Sequence, residues 1–370
     1  MPHEKDHQRE FLTRQSQVRG MMLGLALGDT LGGARGRLPA SGPLRAGVST
    51  QLACFTAEGI IRAQVRGNHK GICYAPGVVL HAYCRWAFLQ GIEVEKMRRR
   101  WNSYGDSVWP DGWLADVPAL AERRGSAPAT VTALSRIEEG HERMATTSRG
   151  CHALTRALPV AVTGLGGIAQ AGALAALTHG DTAAQAATTH AAVLAHHCLT
   201  NSARERGPSP HSGISAREAL HVGITALPSV GQRITDDEHS RLAAAFRHAV
   251  DEPADAGRLA RLAPDATAPS ALLGGLYAAA SFPDRAGFRG ALEFAAGAPD
   301  GDSVACVAGA LLGAVHGVEA LPVDLVSRHE LAWVLDTLAR DLLTELEDSP
   351  SGSEYVQGWD PHWWHRYPGW

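Results

Sequence analysis

Apolar residues recur at three- and four-residue spacing along most of this chain, the period of a helix with one buried face. The pattern predicts helices over 11–31, 51–66, 78–90, 165–178, 182–199, 240–250, 269–281, 286–297, 303–317 and 328–347. The last is the plainest, because Leu331, Val334, Leu335, Leu338, Leu342 and Leu346 form one stripe between Asp, Arg and Glu residues. Period-two alternation, the mark of a half-buried strand, is almost absent. The expected fold class is all-α, a compact body over 1–350 with no linker dividing it.

Two stretches interrupt the periodicity. "NSARERGPSPHSGISARE" (201–218) is polar and carries Pro, Gly and Ser, and reads as a surface loop. The ending, residues 351–370, is too rich in Pro and Gly for a long helix, yet Trp359, Trp363, Trp364, Tyr367 and Trp370 are too apolar for a solvated tail. It is expected to pack on the body, with a position lining an opening as the alternative. His190, His196 and His197 are expected on a partly exposed helix surface, since a seven-residue separation does not suit one metal ion. The basic run "EKMRRRW" (95–101) reads as a solvated helix face.

A glycine pattern overlies the apolar one. "GMMLGLALGDTLGG" sets Gly20, Gly24, Gly28 and Gly32 four residues apart, with Asp29 beside the third. "DGDSVACVAGALLGAVHG" repeats the spacing at Gly309, Gly313 and Gly317 behind Asp300 and Asp302. Each glycine inside a helix costs about 0.5–1 kcal/mol relative to alanine, so a repeated seam needs a return. Close approach of two central helices supplies one. Asp300, Asp302 and Ser303 have two readings: caps and dipole partners at a helix start, or oxygen ligands for a hard cation such as Mg²⁺.

Composition narrows the classes. With 34 basic against 38 acidic residues and a net charge of -4, the chain lacks the basic surface that nucleic acid demands. No run reaches the ~18 apolar residues of a membrane span. The polar start "MPHEKDHQREFLTRQSQ" and six cysteines without CxxC spacing lead us to expect reduced thiols and a cytoplasmic location.

The motifs, in order, resemble those of the ADP-ribosylglycohydrolases. "GLALGDTLGG", the loop "SRGCHALTRALPV" (Ser148 to Val160), "ALTHGD" (Ala176 to Asp181) and "DGDSVACVAGALLGAVHG" match that family's pattern across nearly the whole chain. The resemblance implies an all-α fold, an ADP-ribose cleft and two Mg²⁺ ions at its base. It carries half of the metal set onto Asp300, Asp302 and Ser303. It implies ligand contacts around Ser148, Gly150, His152, Arg156, Thr178 and His179. Apart from the resemblance, a histidine at 152 facing Asp300 and Asp302 offers an acid–base pair near neutral pH, with an ordinary hydrogen-bonded histidine as the other reading.

Departures from the pattern are as informative. The family's Thr-Asp-Asp trio precedes a helix start that reads here "STQLACF", so it falls on Gly47, Val48 and Ser49. The family glutamate after the first helix falls on Gly36, and no carboxylate lies between Asp29 and Glu58. Two small positions of the phosphate loop have become His152 and Ala153, and its methionine is Thr155. Three readings stay open. In the first, the dinuclear mechanism is lost and the protein binds ADP-ribose, a related nucleotide or an ADP-ribosylated protein. In the second, a hydrolase survives on one weakly held Mg²⁺, with Asp106, Asp111 or Asp116 as conceivable replacement acids. In the third, the cleft runs metal-free chemistry through His152.

Overall fold

The structure, a computed structural model, describes residues 2–92, 109–137, 145–204, 215–229 and 234–369. Its main helices are α1 (Pro2–Gly33), α2 (Val48–Lys70), α3 (Ala75–Leu89), α4 (His152–Thr155), α5 (Thr182–Arg204), α6 (Ala216–Ala226), α7 (Asp236–Asp251), α8 (Ala268–Ser281), α9 (Phe288–Ala295), α10 (Gly301–His316) and α11 (Ala332–Asp348). The fold is all-α; among the described residues the only strand-like pairing is four isolated bridges. No helix of the described residues is long and apolar enough to cross a membrane.

Helix α10 is the hub, buried along nearly its whole length and packed against α1, α5, α8 and α9. Its contact with α1 is antiparallel and made backbone to backbone. A Cβ added at Gly24 would stand 2.2 Å from the carbonyl oxygen of Gly309, and one at Gly28 2.0 Å from that of Ala305. The same holds from the other side, where a Cβ at Gly313 would meet the Gly20 carbonyl at 2.0 Å. The two glycine repeats therefore face each other, and the return on their cost is contact that no side chain permits.

The other expectations fare unevenly. The predicted 165–178 helix is broken into Gly164–Ile168 and Ala171–Ala176, entered through Gly164 at φ +77°. Gly166 and Gly167 weaken helix formation there, and the chain bends instead. Within 201–218, α5 runs on to Arg204 and α6 begins at Ala216 behind a capping box of Ser215 and Glu218. The rest of that loop, the 95–101 run, Asp106 and Trp370 lie outside the described residues. His190 is 5% exposed, so it is not a surface residue. It lines a cavity with Glu238, Arg241 and Leu272, while His196 and His197 are half-buried as expected.

The tail packs on the body, at the end of α2 away from Ser49. Tyr367 is buried and donates its hydroxyl to Asp341 Oδ2 at 2.6 Å, and Trp364 stacks edge-on against His69 at 4.7 Å. Arg66 Nη1 reaches the Gly369 carbonyl at 3.4 Å. The His69 and Arg66 contacts fall on the C-terminal half of α2, about 26–30 Å along that helix from Ser49 at 1.5 Å per residue. Trp359 stays 61% exposed, held only by its indole N–H on Asp348.

Candidate functional site

The antiparallel seam brings the last turn of α1 to the first turn of α10, and so sets Asp29 near Asp302. Asp29 is 3% exposed. Its Oδ2 accepts the Thr50 backbone N–H at 2.9 Å and the Thr50 hydroxyl at 2.6 Å. Burial raises its pKa to about 6; Thr50's donors pull the other way and the Asp302 charge adds to the rise. A Cβ on Gly47 would stand 2.4 Å from Asp29 Oδ1, so the carboxylate occupies room that only glycine leaves. Asp29 thus anchors the start of α2 to the end of α1.

At the start of α10 the acids do not cap the helix in the usual way. Asp300 is the N-cap residue and makes no capping hydrogen bond. Its Oδ2 instead accepts the Ser303 hydroxyl, and it also takes the Cys151 thiol as donor. Asp302 Oδ1 accepts the Ser303 N–H at 3.0 Å. Burial raises the Asp300 pKa, and the Asp302 charge adds to the rise. Burial and the same two acids push the Cys151 thiol well up, which keeps it protonated and donating.

Facing them, α2 begins with Val48 and Ser49, both buried. Ser49 Oγ lies 3.3 Å from His152 Nδ1 and accepts the Thr155 hydroxyl at 3.0 Å. His152 is half-buried and lies in the field of Asp302. Burial lowers its pKa most, Asp302 offsets part of the fall, and the Arg156 charge adds to it. Asp300, Asp302, His152 and Ser49 are thus gathered in one place.

Among the described residues, no replacement acid is placed with them. Asp111 belongs to a buried four-membered ion cluster, with Arg62 Nη1 on it at 2.8 Å and Arg62 Nη2 on Glu58 at 2.7 Å. Arg85 Nη2 completes it on Glu58 at 2.5 Å. Sequence reasoning missed this cluster, whose signal was Glu58 and Arg62 one turn apart inside an otherwise apolar helix. Asp116 is exposed. Gly36 stands at an open turn past α1, at φ +72°, between exposed Arg35 and Arg37. Among the described residues no three His, Cys, Asp or Glu side chains form a metal-holding group. The donor set does not fit two Mg²⁺ ions, which need several anionic oxygens.

The loop from Thr146 to Cys151 is clamped on both flanks. Thr146 N–H donates to the Thr178 carbonyl at 3.0 Å, and Cys151 N–H to that of Ala266 at 3.0 Å. Ser148 Oγ turns back to accept the Gly150 N–H at 3.0 Å. Beneath the loop lies Arg156, wholly buried and 4.3 Å over the Tyr83 ring. Its guanidinium donates to Thr130 Oγ1 at 3.0 Å, Thr178 Oγ1 at 2.6 Å and the Leu174 carbonyl at 3.2 Å. Thr178 Oγ1 also meets His179 Nδ1 at 2.8 Å. Burial, then the Arg156 and His152 charges, lower the His179 pKa to about 3, so the ring is neutral. Its Nε2 lies 3.3 Å from where a Gly150 Cβ would be, so a ring nitrogen is aimed at the loop. Arg156 and Thr178 lie behind His179 and act through it.

No curated protein matches the chain. A solved structure titled "ADP-ribosylglycohydrolase-related protein complex" shares its fold at a TM-score of 0.54 and 22% identity, over 89% of this chain and 98% of the other. The family model described as ADP-ribosylglycohydrolase matches residues 11–351. With that match over nearly its full length, and the glycine seam, acid pair and clamped loop in the expected order, the chain belongs to the ADP-ribosylglycohydrolase family.

Proposed function

We propose that this protein binds ADP-ribose or a related nucleotide in the cleft between the Ser148–Gly150 loop and the start of α10, without the two-metal hydrolysis. The observation that carries the reading is Arg156. A wholly buried guanidinium for which no carboxylate partner is found among the described residues has its charge met there by the Tyr83 ring and neutral acceptors, an arrangement that leaves it short of a counter-charge. An anionic ligand supplies the counter-charge, and the Arg156–Thr178–His179 relay ends in a ring nitrogen aimed at the loop where it would sit. On the hydrolytic side, Val48 and Ser49 replace acidic ligands and Gly36 replaces the glutamate, so the ordinary electrophile and base are both missing. None of the six cysteines is in a disulfide, which supports a cytoplasmic setting.

Calorimetric titration of ADP-ribose, first with Mg²⁺ and then with EDTA, tests this. We expect binding that EDTA leaves unchanged and that Arg156→Met weakens at least tenfold. The surviving carboxylate pair favours a second reading, a hydrolase using one cation. Turnover of ADP-ribosylated protein that needs Mg²⁺ and is lost in Asp302→Ala would establish that reading and overturn the first.

A further inference from the structure

The residues that depart from the family pattern at 49, 152 and 155 read in the sequence as unrelated changes, in segments 103 and 106 positions apart. In the fold they touch. Thr155 donates its hydroxyl to Ser49 Oγ at 3.0 Å, which commits one side of that oxygen. The same oxygen meets His152 Nδ1 at 3.3 Å. The His152 ring also hydrogen-bonds the Ser126 backbone. A continuous chain of hydrogen bonds thus runs from Thr155 through Ser49 to His152 and ends on backbone. Each polar group in it has a protein partner, as buried hydroxyls require.

We propose that this Thr155–Ser49–His152 chain is a plug occupying the second cation's half of the site, so that restoring carboxylates at 48 and 49 does not by itself recreate a cation site. The imidazole contacts the one side chain of the trio that could point a ligand inward, and an aspartate placed at 49 meets His152 before it meets any ion. The two then form a hydrogen-bonded pair, which occupies the carboxylate oxygen that a cation would use. Ser49 is 1% exposed, which leaves its hydroxyl no face for a substrate. The contact is therefore a substitute for the ion rather than a nucleophile with its base. The opposite half is closed the same way, since Ser303 and Cys151 supply protons to Asp300.

Mn²⁺, followed by electron paramagnetic resonance and calorimetry, is the probe. We expect wild type and Val48→Asp/Ser49→Asp to bind it within about threefold of each other. Adding His152→Gly to the double variant is expected to tighten binding at least thirtyfold. A double variant that binds Mn²⁺ as tightly as the triple overturns the plug, and so does a triple that binds no better than wild type. Should two buried acids prevent folding, judged by circular dichroism, Ser49→Asp with and without His152→Gly carries the same comparison. The inference rests on the family register of 47–49 and not on nucleotide binding, so the ADP-ribose and Mn²⁺ titrations fail independently.

Discussion

The shaft of the α1–α10 pair and its mouth are built on different principles. Along the shaft, backbone lies against backbone, and a single added carbon at Gly20, Gly24 or Gly28 would fall within 2.4 Å of a carbonyl oxygen. At the mouth, side chain lies against side chain: a hydroxyl and a thiol have taken up acceptors that a cation would otherwise neutralise, and an imidazole stands against Ser49. A contact made of main chain cannot be renegotiated by substitution, whereas a polar contact can exchange one donor for another at modest cost. This is why the scaffold is recognisable while the chemistry at its end has changed.

The sharpest way to break the contrast is at Gly28. We expect Gly28→Ala to cost at least about 3 kcal/mol in urea unfolding, because relief requires the two helices to separate. A loss under about 1 kcal/mol would mean the seam is looser than its geometry. Ser49→Ala probes the mouth, where the Thr155 hydroxyl and His152 Nδ1 lose a shared partner but can turn to water or to each other. About 1–2 kcal/mol is expected there, and a loss equal to that at Gly28 would erase the distinction. The smallest effect is reserved for Gly33, in the same helix but with nothing within 4 Å of its added Cβ. Gly33→Ala should be neutral or stabilise by up to about 1 kcal/mol, read as a rise in melting temperature.

Much of the shaft was legible in the sequence, since glycine at a four-residue period on two helical stretches has few other physical uses. So were the missing acids at 48 and 49. What periodicity could not give was the meeting of Ser49 with His152, because spacing within a segment says nothing about contacts between segments. Burial of charge was equally opaque: Glu58, Arg62, Arg85 and Asp111 carry the residue types of a solvated face and form a sealed cluster. His190 was misplaced for a related reason, as a histidine beside alanines and threonines fits either face of α5. The break between Ile168 and Ala171 required weighing two adjacent glycines, Gly166 and Gly167, against an otherwise helical pattern, and the pattern hid them. The capping boxes at Ser215 and Thr235 were readable signals for helix starts.

The interlocked glycines also act as an index. Sliding α1 past α10 by one residue, about 1.5 Å, would bring Met21, Leu25 or Asp29 onto main-chain carbonyls, and a register that fits again lies about 6 Å away. The spacing between Asp29 and Asp302 is therefore stepped rather than continuously adjustable. Small axial shifts of packed helices, a common way for proteins to transmit a signal, have no room here. Any motion that opens or closes the cleft must come from the loops that meet α10's first turn, with the central pair as the fixed frame.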